Sequence, residues 1–329
     1  MRGVGGLVGV ALFFSLEGLS SAAPPRRFNK LSDHFYFFQA EAGSGNVGAV
    51  ISDDGVLLID TPPAGEIPAM LEALKRITSR SVRWVVNTHN HEDHTHGNDY
   101  FLEHNATIVL ARESGPGDDK SPAPDTKDQK SKPAPPGAQL TFGRQIRLFP
   151  GAVEVRIFAV EPRAHSNRDV VVFVPSEKVL YVGDLFVPGS YPTIDVSEGQ
   201  GSALGWLDAL HQVIESVPVL KSAMPQPKPN PPSKPPPGPS KTDTSQPPEE
   251  EKTLEEQVIV IPGHGPASNL KEMKDLLETA RKLRVEAGRA AAAKRSRENF
   301  LASPGVAPFR VYANFEGFAA QLYDEVRKR

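Results

Sequence analysis

Hydrophobic residues along the chain follow two different spacings, and each spacing predicts one type of element. Between residues 66 and 77 the apolar positions lie three or four apart, which predicts an amphipathic helix. Short apolar runs bounded by glycine, aspartate or proline predict strands. These runs cover residues 35–38, 47–51, 56–60, 82–86, 107–110, 145–148, 153–160, 170–174, 179–182 and 258–261. Further helices are expected at about 201–215 and 270–297, so the pattern predicts an α/β arrangement of mixed sheets covered by helices.

Two proline-rich segments interrupt this pattern. Residues 114–137 and 222–257 together hold 17 of the 32 prolines and almost no large apolar side chains. Such segments cannot bury enough apolar surface to offset the entropy of ordering, so we expect flexible surface insertions. A polyproline ligand for a partner is the less favoured alternative. Because related motifs lie on both sides of each insertion, we expect one domain over residues 30–297, followed by a C-terminal extension over 298–329.

The N-terminus has the pattern of an export signal. Arg2 precedes an apolar run at residues 4–14, and the small residues 21–23 offer a cleavage site. The apolar run is shorter than the ~20 residues that a spanning helix needs. We therefore expect residues 1–23 to be a signal peptide, the mature protein to be periplasmic or extracellular, and no stable membrane span after processing. An uncleaved anchor or a disordered tail is the alternative.

Composition restricts the available chemistry. The 329 residues include no cysteine, which excludes disulfides, thiolate zinc ligands and a thiol nucleophile. The formal net charge of −3 gives no indication of a nucleic-acid partner. A small-molecule substrate is the expected partner, and no protein partner can be named. Any metal site must be built from histidine and carboxylate.

Histidines are concentrated where one apolar strand ends. Residues 89–94 read HNHEDH and follow the run at 82–86 after Asn87 and Thr88. Mixed histidine and carboxylate ligands without thiolate are typical of catalytic zinc. Four potential ligands within six residues of a loop cannot all reach one small ion, but they can reach two ions side by side. A solvated histidine-rich loop is the alternative, and the preceding strand disfavours it.

The HxHxDH pattern after a hydrophobic strand resembles the metallo-β-lactamase superfamily. Later segments match in order: His165 before a strand, Asp184 after a strand, and His264 between two glycines at the end of the last strand. Upstream, residues 57–61 resemble the strand that supports the metal loop, and Asp60 is expected to brace that loop by hydrogen bonds. The resemblance covers about residues 30–280 and implies a four-layered αββα fold with two mixed sheets between helices.

The same resemblance implies two zinc ions per chain and seven ligands. The first zinc would be held by His89, His91 and His165, the second by Asp93, His94 and His264, and both by Asp184 as a bridge. Activity would then be hydrolysis of an ester, thioester, amide or lactam by a metal-bridging hydroxide. Asp93 would also be catalytic, because it can orient the nucleophile and transfer a proton.

Two alternatives to this hydrolase stay open. Large groups of the superfamily with β-lactamase activity have cysteine or serine where this chain has Asp184, and an aspartate resembles glyoxalase-II-like members; a true β-lactamase is one alternative. The other is an oxidoreductase with a single iron acting on sulfur compounds. The third histidine is usually followed by Thr-x-Gly-Asp, but here Arg168 replaces the glycine. The stretch 191–195 resembles exported members of the superfamily, and Tyr191 is left open as a substrate contact.

Overall fold

The structure is a computed structural model that describes residues 26–40, 43–112, 140–197, 200–222 and 257–329. The predicted signal peptide at 1–23 and the predicted insertion at 114–137 lie outside the described residues. The same is true of the insertion at 222–257, apart from its two end residues. Among the helices that are described, none is long and apolar enough to cross a membrane.

Seven strands form the first sheet in sequence order. They are β1 (Asn29–Lys30), β2 (Phe35–Phe38), β3 (Val47–Ser52), β4 (Gly55–Ile59), β5 (Val82–Val86), β6 (Thr107–Ala111) and β7 (Leu140–Phe142). Strands β1 to β4 pair antiparallel and strands β4 to β7 pair parallel, so the sheet is mixed.

Six strands form the second sheet, in the order β13-β12-β11-β10-β9-β8. They are β8 (Gln145–Leu148), β9 (Val155–Ala159), β10 (Val170–Val174), β11 (Val179–Gly183), β12 (Ile259–Pro262) and β13 (Ser268–Asn269). Strands β11 and β12 pair in parallel and the other neighbours pair antiparallel, so this sheet is mixed as well.

Seven α-helices accompany the sheets in the described residues. They are α1 (Ile67–Lys75), α2 (Glu92–Thr95), α3 (Asn98–Glu103), α4 (Ala203–Ser222), α5 (Leu270–Ala292), α6 (Arg297–Leu301) and α7 (Phe315–Lys328). Short 3-10 helices occupy Ala64–Glu66, Pro175–Glu177 and Pro304–Phe309.

Alternation along the strands divides the core into layers. In β10, Val170, Val172 and Val174 lie in the core between the two sheets, whereas Val171 and Phe173 face a second core formed with α4, α5 and α7. Strand β4 divides in the same way between the inter-sheet core and a third core beneath α1 and α3. Helices thus cover the outer face of each sheet, and the expected four-layered αββα fold is confirmed.

Several predicted boundaries need correction. Residues 89–94, expected as a loop, overlap the single helical turn of α2, which is too short for a hydrophobic period to show. The helix expected at 270–297 ends at 292, because Lys294 adopts a left-handed backbone conformation with φ of 54°. A separate helix, α6, then begins after Ser296, whose side chain accepts a hydrogen bond from the backbone of Asn299. The division into a domain at 30–297 and a C-terminal extension at 298–329 stays a prediction; Phe300, Phe318 and other side chains of the extension are buried in the core beneath the second sheet.

The ends of two parallel strand pairs, β4–β5 in the first sheet and β11–β12 in the second, meet at one edge of the molecule. The backbone of Asn46, at the start of β3, donates to the carbonyl of Gly263 at 2.7 Å and thereby links the two sheets. Gly263 in turn donates to Gly183 at 2.8 Å, and Asp60 donates to Val86 at 2.8 Å. The loops after β4, β5, β11 and β12 are therefore held side by side, and each carries polar side chains.

Candidate metal centre

Six side chains from the loops after β5, β11 and β12, together with His165, which precedes β10, converge at the joined edge of the sheets. They form two groups in which the potential ligand atoms lie within 4.8 Å of one another. One group is His89, His91, His165 and Asp184, and the other is Asp93, His94 and His264. The structure thus brings together all seven residues that the sequence predicts as ligands, in the predicted division; their role as ligands stays a prediction.

The first group has the dimensions of a tetrahedral site. The Nε2 atoms of His89 and His165 each lie 3.0 Å from Nδ1 of His91. The carboxylate oxygen Oδ2 of Asp184 lies 3.9 Å and 3.6 Å from the same two Nε2 atoms. Ligands placed ~2.0–2.1 Å from a zinc ion in a tetrahedron are about 3.3 Å apart. The donor atoms therefore surround a space of the right size for one ion.

The second group has similar dimensions. Oδ2 of Asp93 lies 3.4 Å from Nε2 of His94 and 3.1 Å from Nε2 of His264, and these two nitrogens are 3.3 Å apart. The carboxylate of Asp184 lies 3.4 Å from each of the two nitrogens. Asp184 is thus in contact with both groups, as a bridging ligand must be.

The outer nitrogens of the first group show how its rings are protonated. Nδ1 of His165 faces the carbonyl of Thr193 at 2.5 Å, and Nε2 of His91 faces the carboxylate of Asp195 at 3.2 Å. Because carbonyls and carboxylates only accept, both outer nitrogens carry the ring proton. Nδ1 of His89 lies 3.0 Å from the Thr88 hydroxyl, which already donates its own proton to a carboxylate and so accepts from the ring.

The protonation of these rings indicates whether the first group can hold a metal ion. When all three rings are neutral, their inward nitrogens are acceptors, and neighbouring acceptors 3.0 Å apart repel each other unless a cation lies between them. In the second group the outer nitrogens also face acceptors, because Nδ1 of His94 lies 2.9 Å from Asp60 and Nδ1 of His264 lies 3.1 Å from the carbonyl of Ser44. Both Nε2 atoms therefore point inward and become acceptors once they lose their protons. Oδ1 of Asp184 is buried and has no hydrogen-bond partner among the described residues. Five imidazoles and two carboxylates arranged in this way fit divalent metal ions.

The superfamily comparison agrees with this geometry. The family model of the metallo-beta-lactamase superfamily matches residues 40–264, about two thirds of the chain. The chain belongs to this superfamily. The solved structure of DIM-1 metallo-beta-lactamase is similar, with 20% sequence identity, a TM-score of 0.51, and coverage of 78% of this chain and 99% of that one.

A second solved structure, a metallo-beta-lactamase from Pontibacter korlensis, has 15% sequence identity and a TM-score of 0.51, with coverage of 78% of this chain and 99% of that one. At these identities the likeness concerns the fold. No curated protein sequence matches the chain. The predicted resemblance to the superfamily is confirmed by the family match.

Asp60 braces both groups, as the sequence predicts. Its carboxylate accepts from the backbone N–H of Thr88 at 2.7 Å, from the Thr88 hydroxyl at 2.8 Å and from Nδ1 of His94 at 2.9 Å. It reaches His89 of the first group through the same hydroxyl. Asp60 is fully buried and has φ of 64°, a conformation that aspartate and asparagine tolerate better than most residues. One buried carboxylate therefore orients a histidine in each group.

Electrostatics differ between the two groups. In His89, burial and the neighbouring His94 lower the pKa well below its usual value, so this ring is neutral at pH 7. In His264, hydrogen bonds to Asp184 and Asp93 raise the pKa to about 10. Burial opposes the ionisation of Asp184, but the charge of His94 and the hydrogen bond to His264 outweigh it, and the pKa of Asp184 lies well below its usual value. Burial opposes the protonation of His94, but the charges of Asp184 and Asp60 outweigh it and raise the pKa of His94 well above its usual value. A metal entering the second group must therefore displace a proton from each of its two rings, whereas His89 needs no deprotonation.

Small residues leave room for the bridging carboxylate. A Cβ atom at Gly263 would lie 1.9 Å from Oδ1 of Asp184, closer than any real contact. Gly183 has φ of +54°, and a Cβ atom at this position would lie 2.7 Å from the Thr88 side chain; both features favour glycine. The predicted Gly-Asp and Gly-His motifs thus have a steric explanation that the sequence did not give.

The turn that follows His165 is intact, although its sequence departs from the usual superfamily pattern. Asp169 is buried and accepts from the backbone N–H and the hydroxyl of Ser166, at 2.9 Å and 2.7 Å. The Ser166 hydroxyl oxygen accepts from the backbone of Arg168 at 3.1 Å. Arg168, which takes the place of the usual glycine, is itself buried. The substitution is therefore accommodated inside the protein.

In the segment after β11, sequence reasoning missed Thr193 and Asp195 as hydrogen-bond partners of the ligands and left the role of Tyr191 open. Thr193 contributes only its carbonyl, which no residue type indicates, and Asp195 lies 104 positions from the histidine that it contacts. Both belong to the stretch 191–195 that resembles exported superfamily members. Tyr191, considered as a substrate contact, is only 1% exposed, and its ring stacks on Phe318. It supports the loop from behind, so it is not available to a substrate.

Proposed function

We propose that this protein is a zinc-dependent hydrolase that holds two zinc ions, one in each group, and cleaves an ester, thioester, amide or lactam. Superfamily membership and the two histidine and aspartate groups support metal-dependent hydrolysis. The single observation that carries the two-metal proposal is the position of Asp184. Its carboxylate lies within 4 Å of imidazole nitrogens in both groups.

The chain's own residues divide the work. Two bound zinc ions supply a nucleophile, by lowering the pKa of water from about 15.7 to about 7, and a Lewis acid for the substrate oxygen. Asp184 offsets the repulsion between the two cations. Asp93 is 30% exposed beside His264, so its carboxylate can orient the nucleophile and exchange a proton with solvent. Asp60 and Asp195 keep the imidazoles in the ligating tautomer.

The complete second group favours the hydrolase over a mononuclear iron oxidoreductase. A single iron in the first group would need none of Asp93, His94 and His264, yet these three donors converge within 3.4 Å of one another. The similar solved structures are described as metallo-beta-lactamases, and lactams are therefore kept among the substrate classes to be tested.

Metal analysis and a substrate panel test the proposal together. Protein purified without added metal should contain about two zinc per chain, and a chelator should abolish turnover that zinc restores. The panel should include thioesters, lactones, phosphodiesters and cephalosporins. One iron per chain together with oxidation of a sulfur compound would replace the proposal by the alternative. Export, which residues 1–23 predict, is proposed as well; the mature protein should begin close to residue 24.

A further inference from the structure

One irregular segment, residues 185–197 after β11, orients two ligands of the first group. The carbonyl of Thr193 accepts from His165, and the carboxylate of Asp195 accepts from His91. The backbone N–H of Asp195 also donates to the carbonyl of His165 at 2.9 Å. The partner of the outer nitrogen fixes the tautomer and direction of a ligating histidine. The position of this segment therefore decides where both inward nitrogens point.

The C-terminal region holds this segment by hydrogen bonds. The backbone N–H of Tyr191 donates to the carbonyl of Ala313 at 3.0 Å, and the N–H of Ala313 donates to Gly189 at 2.9 Å. The side-chain amide of Asn314 donates to the carbonyl of Pro192 at 3.1 Å and to that of Tyr191 at 3.4 Å. These carbonyls immediately precede Thr193, so the C-terminal region grips the segment next to the point where it contacts the metal centre.

Aromatic packing strengthens the same junction. The ring of Tyr191 stacks on Phe318 with centroids 4.9 Å apart and an interplanar angle of 6°. Its hydroxyl donates to the carbonyl of Phe309 at 3.1 Å. Phe318 also contacts Trp206 of α4 edge to face, with centroids 5.1 Å apart. The segment is therefore fixed to a buried cluster and does not lie freely on the surface.

Helix α7, which carries Phe318, also holds the start of α4, the helix that follows the segment. The carboxylate of Glu325 in α7 accepts from the hydroxyl of Ser202 at 2.7 Å and from the backbone N–H groups of Ala203 and Leu204 at 2.8 Å and 3.1 Å. It thus satisfies N–H groups that the first turn of α4 leaves unpaired. Residues 309–325 therefore contact both sides of the ligand-orienting segment, although they lie beyond the superfamily match at 40–264.

We propose that residues 309–325 position the first metal-ligand group. Asn314 and Phe318 hold segment 185–197, and that segment aims two imidazoles at one ion. The proposal rests on the proposed function in needing a metal in the first group. A positioning role differs from a purely structural one, because loss of positioning weakens metal binding at the first group and not at the second.

Two variants separate positioning from stability. Asn314→Asp keeps the size of the side chain and tolerates φ of 54°, but a carboxylate cannot donate to the two carbonyls. An acidic residue before α7 also interacts favourably with the helix dipole, so α7 itself is not weakened. Phe318→Leu removes the ring beneath Tyr191. The matched control is Phe300→Leu, because Phe300 belongs to the same core but stacks on Tyr323.

Zinc alone is the probe, titrated into metal-free full-length protein against a competing chelator. Each variant is placed in a His264→Ala background, where only the first group is complete, and in a His91→Ala background, where only the second is complete. Urea unfolding of the same metal-free proteins reports stability. Cobalt(II) in place of zinc adds an absorption spectrum that reports ligand geometry.

We expect Asn314→Asp and Phe318→Leu to weaken zinc binding at the first group by about tenfold, the lower end of the ~10–100-fold range for hydrogen-bond partners of ligands. The second group should keep its affinity, and Phe300→Leu should lose stability without losing zinc affinity at either group. Unchanged first-group affinity in a folded Asn314→Asp protein, or equal losses at both groups, overturns the proposal. If neither His264→Ala nor His91→Ala alone binds zinc, the proposed function and this inference are overturned together.

Discussion

Replacing Asp60 by asparagine tests the hydrogen-bond network behind the metal centre. The carboxylate accepts three hydrogen bonds, from the Thr88 backbone, the Thr88 hydroxyl and Nδ1 of His94. Asparagine keeps one acceptor oxygen and places two N–H donors where the other oxygen was. The change adds no backbone strain, because asparagine tolerates φ of 64° as well as aspartate does.

We expect Asp60→Asn to lower zinc affinity mainly at the second group. If the amide oxygen keeps the bond to the Thr88 backbone, the amide N–H groups face the Thr88 hydroxyl and Nδ1 of His94. The hydroxyl can rotate, but His94 must either give up this bond or move its proton to Nε2, which points at the metal. A hydrogen bond to a charged group contributes ~1.5–3 kcal/mol, which corresponds to about 10–100-fold in affinity. His89 is reached only through the hydroxyl, so the first group should lose less.

Competition between the protein and a chelator of known zinc affinity measures both constants in metal-free protein. Asp208→Asn is the matched control, because it makes the same chemical change at an exposed position on α4, away from the site. Urea unfolding without metal shows whether the variant is folded. Two zinc ions bound by Asp60→Asn with the affinities of the unmodified protein would refute the role assigned to this carboxylate.

Three further predictions concern the bridge and the second group. Asp184→Asn should lower the affinity for the second metal and turnover by about 10–100-fold, measured by metal content and by rate, while Asp208→Asn leaves both intact. Gly263→Ala should displace the bridging carboxylate and reduce metal content, whereas Gly65→Ala, where a Cβ meets nothing within 4 Å, should not. Because the pKa of His264 is raised to about 10 and that of His94 is raised as well, zinc must displace their protons, and second-group affinity should rise by at least about tenfold per pH unit between pH 7 and 9. In metal-free protein this raised pKa stabilises the fold fully below about pH 6.5, and urea unfolding should show the stabilisation lost as pH rises towards 10. A flat affinity profile would contradict the assignment of that proton.

Most of the fold could be predicted because its strands carry strong apolar signals. Strand β10 is buried along its whole length and reads as a continuous hydrophobic run, which is typical of a strand covered on both sides. Strands β1 and β13 have two residues each and offer no period to detect. Phe315, Phe318 and Leu322 follow helical spacing, so helix α7 has a detectable signal in the region that is expected as a C-terminal extension.

The candidate ligands could be predicted because each one lies in a short motif next to a strand, and strand ends gather at one edge of the sheets. Their hydrogen-bond partners could not be predicted for a physical reason. The carbonyls of Ser44 and Thr193 are present in every residue, so their identity carries no information. Asp195 is an informative residue type, but only the packed chain brings it to 3.2 Å from His91.

The two groups differ in how much of the chain each needs in order to form. Asp60, Asp93 and His94 come from adjacent loops of the first sheet, and His264 joins them once Asn46 has linked that sheet to the second. The second group therefore requires only the two packed sheets. The first group also requires segment 185–197 in place, and that segment is held by residues that follow the superfamily match. Loss of the contacts that Asn314 and Phe318 make with segment 185–197 should consequently weaken the first group while the second group and the sheets remain intact.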